Sequence, residues 1–286
     1  MGLERVRSAH PTSSDRPTKP SGLTLSRRTF LTSALVTTLA LPAALHSLVG
    51  TVHAEEDADD QWASGPVGSN GSQGRASSHT FSLAAGSDGP LGEGVTRNKY
   101  KVEIGYARYD GDSYVLALHP GDKELGRQEW ISRRIGRFSF RDGAVMVEAR
   151  GELSPTGCFA IEMRHQAYKD RRYIRSNWLC LDPHDGHIHI QTDGIWNEME
   201  IVADHHHDGY TPVRPPGEWN TFLFLASGDY LEGWVNGERA IAGVDGRWGT
   251  GNISLVAMRI DRMPFRAHFR NLRVWDGELP DPATVW

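Results

Sequence analysis

Apolar and polar residues alternate in short runs from about Arg97 to the C-terminus, and turn residues separate these runs. The runs include KYKVEIGYARY, DSYVLALH, GAVMVEARG, CFAIEMR, YIRSNWLCL, HIHIQ and WNTFLFLA. No long stretch repeats its apolar residues with the 3.6-residue period of an amphipathic helix. Closely spaced short strands predict an antiparallel β-sandwich or a β-barrel. Asn236-Gly237, between GWV and ERAI, is the strongest hairpin signal.

The facing of the polar residues follows from the alternation, because successive strand residues point to opposite sides of a sheet. In HIHIQ, Ile188 and Ile190 point to one side, whereas His187, His189 and Gln191 point to the other. The neighbouring runs CFAIEMR and YIRSNWLCL divide in the same way, and a one-residue slip would put a whole apolar set into water. One face is therefore predicted to carry Glu162, Arg164, Ser176, Trp178, Asp182, His187, His189, Gln191, Glu198 and Glu200.

A face that mixes Trp, His and Gln suits a sugar, because rings stack on Trp and hydroxyls need paired donors and acceptors. The alternative is an ordinary solvent face, which is also polar. The residues predicted to bind substrate are Glu162, Arg164, Trp178, His187 and Gln191.

The stretch from Glu198 to Asp204 resembles the Glu-x-Asp-x-x-Glu strand of laminarinase-type glycoside hydrolases. That strand brings a nucleophile and an acid/base to one face. Here the middle position is Glu200, and Val202 and Ala203 stand where the final Glu is expected, so the required pair is missing. Glu198 and Glu200, together with His189, are kept as catalytic candidates, against the alternative that the two acids are only solvated.

The tract Asp204-His205-His206-His207-Asp208 is rich in potential metal ligands. With His187 and His189 nearby, His205 and His207 are candidates for a divalent metal site, either calcium or zinc. A polar loop above the sheet explains the same composition.

Cys158 and Cys180 are the two cysteines of the chain, and both follow the N-terminal segment. The alternation places them on one face of adjacent strands, where they lie opposite each other in one register. An oxidising compartment would permit a disulfide between them, but they are equally compatible with two buried thiols.

The N-terminal segment contains LSRRTFLT at residues 25–32, followed by an apolar run that ends near Val52-His53-Ala54. This pattern resembles a twin-arginine (Tat) secretion signal, which a translocase reads and which is then removed. We therefore expect residues 1–54 to be a signal peptide, with the mature protein secreted, periplasmic or in the cell envelope. No other stretch is long and apolar enough to span a bilayer.

Cleavage after Ala54 leaves 25 basic and 34 acidic residues, a net charge of −9. This charge argues against a nucleic acid or an anionic membrane surface as partner. Residues 55–94 are rich in Gly, Ser and acidic residues, so they are predicted to be a flexible linker in which a short strand is conceivable near Thr80–Leu83. Residues 95–286 then form the β-sandwich domain.

The C-terminal half resembles the closing hairpins of concanavalin A-like lectin/glucanase domains. The resemblance is greatest to the 3-keto-disaccharide hydrolase-like family, and laminin-G-like modules are also similar. It rests on GEWN, on the Asn-Gly hairpin, on GNISL and on HFRNLRV, and it covers about residues 130–276. The positions that match the family pattern are Gly217, Trp219, Asn220, Asn236, Gly237, Gly251, Ile253, Leu255, Phe269, Arg270, Asn271, Arg273 and Val274.

This resemblance implies an all-β, two-sheet jelly roll with a sugar-facing sheet, and it supplies no catalytic residues. The expected function is that of a secreted protein that binds a carbohydrate or polysaccharide and hydrolyses a glycoside. A non-catalytic carbohydrate-binding module and a cell-envelope interaction domain are the alternatives, because one sandwich fold hosts many functions.

Overall fold

The structure is a computed structural model, and its description covers most of the chain after residue 76. The described residues are 54–55, 77–87, 89–98, 101–121, 129–154, 156–167, 174–193, 199–205, 211–247, 249–259, 261–277 and 279–286. The chain divides into two units after Leu48, and every described residue lies in the second unit, Val49–Trp286.

The first sheet is antiparallel, and its strands follow the order β1-β3-β4-β5-β16-β7-β12-β13-β14, with β2 paired to the second half of β16. Its strands are β1 (Ala54–Glu55), β2 (Ser77–Phe81), β3 (Gly94–Asn98), β4 (Glu103–Asp110), β5 (Ser113–Leu118), β7 (Gly143–Glu152), β12 (Asn220–Ser227), β13 (Tyr230–Val235), β14 (Glu238–Val244) and β16 (Phe265–Asp276).

The second sheet is also antiparallel and follows the order β11-β10-β9-β8-β15-β6. Its strands are β6 (Glu129–Phe140), β8 (Gly157–Ala167), β9 (Ile174–Asp182), β10 (His187–Asp193), β11 (Met199–His205) and β15 (Gly251–Arg259).

One apolar core joins the two sheets. Phe159 and Ile161 of β8 and Ile188 and Ile190 of β10 are fully buried in it, and Phe222 of β12 contributes from the first sheet. The prediction of an antiparallel two-sheet sandwich is confirmed, and the alternation that placed these isoleucines inside holds. The side of the second sheet that is turned away from this core is called the outer face below.

The predicted hairpin at Asn236-Gly237 joins β13 to β14. Both residues have positive φ, 50° for Asn236 and 88° for Gly237, as a two-residue turn with the right-handed twist of the strands requires.

The sandwich begins earlier than residue 95. Strand β2 pairs with Leu272–Asp276 of β16, and Leu83 and Leu91 are buried in the core. Residues 77–87 and 89–94 therefore belong to the sandwich and not to a linker, and the short strand considered near Thr80–Leu83 overlaps β2. Within the described ranges, no helix has the length and apolarity needed to cross a membrane.

Candidate functional site

The outer face carries the predicted site residues in rows that run across the strands. The first row, from β11 to β6, consists of Asp204, His189, Cys180, Ala160, Val256 and Ser132. The second row consists of Ile201, Gln191, Trp178, Glu162, Ser254 and Arg134. A third row begins with Asp193 opposite Ser176 and, beyond an irregularity in β8, ends with His165 opposite Asn252. The outer face thus brings together residues from all six strands of the second sheet.

Glu162 lies at the centre of this face and is 1% exposed. Its carboxylate accepts hydrogen bonds from Ser132 Oγ at 3.3 Å and from His165 Nδ1 at 2.6 Å. Burial raises the pKa of Glu162, but His165 and the hydroxyls of Ser176 and Ser254 outweigh it, so that the pKa lies below its ordinary value. Glu162 is therefore an ionised group that is held rigidly inside the site.

Asp193 occupies the β10 end of the third row, and the pKa of its carboxyl is raised, whereas that of Glu162 is lowered. Burial and the negative charge of Glu162 raise its pKa from 3.8 to about 7, although His165 works in the other direction. No hydrogen bond from the described residues to this carboxyl is found. The site therefore holds an ionised carboxylate, Glu162, and a carboxyl that keeps its proton near neutral pH, Asp193. Two such groups are suited to different roles in proton transfer.

Gln191 lies in the second row, next to Asp193 along the outer side of β10, and is 3% exposed. Its Oε1 lies 3.2 Å from His189 Nε2, whereas its Nε2 is buried without a hydrogen-bond partner. A buried donor that lacks a partner costs about 1–3 kcal/mol. Such a group needs a partner that the described residues do not supply, and a ligand acceptor is one partner of this kind.

His187 and His189 lie on the outer face as predicted, with ring centroids 4.8 Å apart. His187 Nε2 is 2.5 Å from Asp204 Oδ1 on the edge strand β11. Asp182 lies opposite His187, and burial is the main cause that raises the pKa of Asp182 to about 6. This end of the face therefore holds a second group of polar side chains.

Trp178 is placed on the predicted face, but it is only 3% exposed. Its ring packs with Ala160, Cys180 and Val256, and its Nε1 donates to Ser176 Oγ at 2.7 Å. The expectation that Trp178 provides a stacking surface is therefore wrong. The ring of Trp130, which meets Trp178 edge-on at 6.4 Å, is partly exposed and is the aromatic surface at this position.

Arg164 does not lie on the outer face, contrary to the prediction. The register of β8 against β9 shifts between Met163 and Gln166, and Arg164 has φ 58°. This bulge turns the guanidinium into the interior, where its Nε donates to the carbonyl of Arg141 at 2.9 Å and one Nη donates to the carbonyl of Gly228 at 2.6 Å. Arg164 is fully buried and ties β8 to the β6–β7 connection and to the β12–β13 turn of the first sheet.

Glu200 also faces away from the site. An extra residue in β11 pairs Ile201 with Gln191 and Glu200 with Thr192, so that Ile201, at 41% exposure, takes the outer position. Glu200 is ion-paired with Arg247 at 2.5 Å. The predicted placement of Glu200 on the catalytic face is wrong, and Glu198 lies outside the described residues.

Cys158 and Cys180 are free, buried thiols. Burial, reinforced by a hydrogen bond with Cys158, raises the pKa of Cys180. Cys180 is opposite Ala160, which makes Cys158 its diagonal neighbour. Diagonal neighbours have Cα atoms about 7–8 Å apart, beyond the reach of an unstrained disulfide. The cysteines therefore share one face of adjacent strands as predicted, and of the two alternatives the structure has the buried thiols.

The predicted metal ligand His205 is exposed at the end of β11, and His207 lies outside the described residues. In the part of the chain that the structure describes, no three His, Cys, Asp or Glu side chains come together as a set that could hold a metal ion.

Comparisons with known proteins place the fold. No protein-family model and no curated protein matches the sequence. Among solved structures, a β-glucanase of Bacillus licheniformis is 10% identical, and the match covers 72% of this chain and 100% of that one at a TM-score of 0.50. The fold is a concanavalin A-like jelly roll.

Two other matches are a lichenase from a mouse hindgut metagenome and a carbohydrate-binding module from Bacillus subtilis. The lichenase is 10% identical, with coverage of 70% and 99% and a TM-score of 0.49. The binding module is 12% identical, with coverage of 68% and 94% and a TM-score of 0.39. Similarities at these identities concern the fold alone, so the chemistry rests on the residues of this chain.

Proposed function

We propose that this protein is a carbohydrate-active protein that holds a glycan on the outer face of its second sheet. The observation that carries the proposal is the buried amide of Gln191, whose Nε2 lacks a partner between the polar side chains of His189 and Asp193. A sugar hydroxyl is a suitable acceptor for this donor. The partly exposed ring of Trp130 supplies an apolar surface on the same face.

Two sources support the choice of glycan probes. The C-terminal strand pattern resembles the 3-keto-disaccharide hydrolase-like family, so 3-keto-glycosides belong in the first set of probes. The solved structures with a similar fold include a β-1,3-1,4-glucanase and a κ-carrageenase, which adds the two corresponding polysaccharides.

Export by the Tat pathway is a second part of the proposal. It is supported by the paired Arg27-Arg28 and by the apolar run behind them. Fusing residues 1–54 to a reporter that is active only outside the cytoplasm tests it. The reporter is expected to lose activity when both arginines are changed to lysine, and export that ignores this change would contradict the assignment.

A glycan array that is probed with the full chain tests binding. We expect signals on a restricted set of glycans, a loss of these signals for Gln191→Met, and no loss for the control Glu200→Gln on the other side of the sheet. Silence across the array would overturn the proposal and favour a cell-envelope scaffold.

A parallel array in EDTA tests whether calcium or zinc takes part through His205 and His207. Signals that vanish in EDTA and return with either cation would support a metal, and unchanged signals would remove the metal from the account.

A further inference from the structure

Glu162 and His165 form a carboxylate–imidazole pair at the Asp193 end of the outer face. The two atoms that meet are His165 Nδ1 and Glu162 Oε1, at 2.6 Å. Because the ionised carboxylate only accepts hydrogen bonds, Nδ1 is the donor, and Nε2 is the basic nitrogen of the neutral ring. His165 is partly exposed, whereas Glu162 is not.

Glu162 is suited to orient His165 and not to attack a substrate. Hydrogen bonds from Ser132, His165, Ser176 and Ser254 occupy its carboxylate. A carboxylate has about four acceptor positions, so these four donors use its capacity. A buried carboxylate that fixes the tautomer and the orientation of a histidine recurs in general-base catalysis.

Asp193 faces the same site from β10, two strands away from β8. It lies opposite Ser176, whose hydroxyl also reaches Glu162. Gln191 is the next outward residue along β10, so its unpartnered Nε2 lies between the histidine pair and Asp193. A buried donor without a partner therefore marks a ligand position beside the candidate acid Asp193, in the row that also contains Glu162.

We propose that His165 and Asp193 are the catalytic residues of a glycoside hydrolase, and that Glu162 is the residue that positions His165. This inference rests on the proposed carbohydrate function. His165 Nε2 takes a proton from water as the water oxygen bonds to the anomeric carbon. The bond from that carbon to the leaving oxygen breaks, and that oxygen takes the proton of Asp193. The histidine then loses its proton to solvent and Asp193 regains one, so that both return to their starting states.

The stereochemical outcome follows from the base. Attack by water in a single displacement inverts the anomeric configuration, whereas retention requires two displacements, in most families with a carboxylate as the first nucleophile. Glu162 is enclosed by four donors, so we expect an inverted product.

Turnover is measured as released reducing ends from three probes: β-1,3-1,4-glucan, κ-carrageenan and a 3-keto-disaccharide. Asp193→Asn and His165→Asn are expected to lower kcat by about 10²–10⁴-fold, while the dissociation constant of the bound probe changes by less than about threefold. Glu200→Gln is the matched control and is expected to keep the wild-type kcat. Thermal unfolding of each variant establishes that it is folded.

Two readouts separate chemistry from a merely structural role. Added imidazole is expected to restore turnover to His165→Gly, because it replaces the missing base in the space that the substitution opens. For Glu162→Gln, the alkaline limb of the rate–pH profile is expected to move to lower pH, because the charge of Glu162 helps to keep Asp193 protonated. A lowered rate with an unmoved profile would contradict the positioning role.

The outcomes distinguish this inference from the function on which it rests. Binding of a probe without any release of sugar by the wild-type protein would overturn the catalytic assignment and leave a carbohydrate-binding module. Near-wild-type turnover of Asp193→Asn or His165→Asn, or a retained configuration in the product, would overturn it as well. Absence of binding to every glycan would overturn the proposed function itself.

Discussion

Replacing Asp193 with Asn is expected to stabilise the protein above neutral pH although it removes the proposed acid. In the wild-type protein the folded state holds the proton of Asp193 more tightly than the unfolded state does. The stabilising contribution of the protonated Asp193 carboxyl is therefore fully present below the pKa that Asp193 has in the unfolded chain. It is lost as the pH rises towards the pKa of about 7 that Asp193 has in the folded protein. Asparagine does not titrate, so the stability of the variant does not decrease with pH for this reason.

The magnitude follows from the two pKa values. Each tenfold change in proton affinity corresponds to about 1.4 kcal/mol, and the pKa rises from 3.8 to about 7. The free energy of unfolding of Asp193→Asn, relative to wild type, is thus expected to increase by about 4 kcal/mol between pH 4 and pH 8. Most of the change falls between pH 4 and pH 7, and the difference levels off above.

Urea unfolding of both proteins at a series of pH values measures this difference, and Glu162→Gln provides a contrast of opposite sign. Because the folded pKa of Glu162 is lowered, its stabilising contribution is present above the unfolded pKa and is lost as the pH falls. Glu162→Gln should therefore be most costly at neutral and alkaline pH. The control Glu200→Gln should stay within about 1 kcal/mol throughout.

A difference between Asp193→Asn and wild type that is flat with pH would refute the reasoning. Asp193 would then titrate as it does in the unfolded chain, and the site would not hold its proton near neutral pH. A variant that is less stable at pH 8 than at pH 4, relative to wild type, would contradict it even more directly.

Three further predictions concern the face and its support. Gln191→Met should keep the free energy of unfolding within about 1 kcal/mol of wild type, because the amide is only partly hydrogen-bonded. It should weaken glycan binding at least about tenfold in calorimetry, and an unchanged affinity would show that Gln191 is not part of the binding site. Ile190→Ala should lower the free energy of unfolding by about 2–5 kcal/mol, whereas His189→Ala on the opposite side of β10 should lower it by less than about 1 kcal/mol. Equal losses in urea unfolding would contradict the assignment of Ile190 to the core and His189 to the outer face. Arg164→Met should cost about 1.5–3 kcal/mol, because the carbonyls of Arg141 and Gly228 lose a charged donor, and glycan affinity should be unchanged. A loss of affinity in the folded variant would indicate that Arg164 contributes to the site.

The sequence alone could predict the facing of β9, β10 and the first part of β8, up to Met163, from the alternation of their apolar residues. Ile188 and Ile190 enter the core, and His187, His189 and Gln191 face outward, as the alternation requires. Asp193 follows from the same rule, since it is the next outward residue after Gln191, but its isolation from donors depends on tertiary packing.

The bulges in β8 and β11 could not be predicted, because the residues at each shift are all polar (164–166) or all apolar (201–203) and do not reveal a change of phase. In β8 the bulge sends Arg164 inward and brings His165 to the outer face, although strict alternation gives the reverse. In β11 it exchanges the faces of Glu200 and Ile201. Both errors concern residues that had been assigned a role in the site.

The burial of Trp178 could not be read from its own strand either. Val256 packs against it from β15, which is distant in the sequence, and Trp130 contributes from β6. Order in a sheet is set by non-local pairing, so a side chain that alternates outward can still be covered by its neighbours on other strands.

A crystal structure of Asp193→Asn soaked with an oligosaccharide that the array selects tests the central claim most directly. A sugar is expected on the outer face, with an oxygen within hydrogen-bond distance of Gln191 Nε2 and a glycosidic oxygen beside residue 193. A sugar bound to the first sheet, or one that leaves Gln191 Nε2 without a partner, would contradict the account.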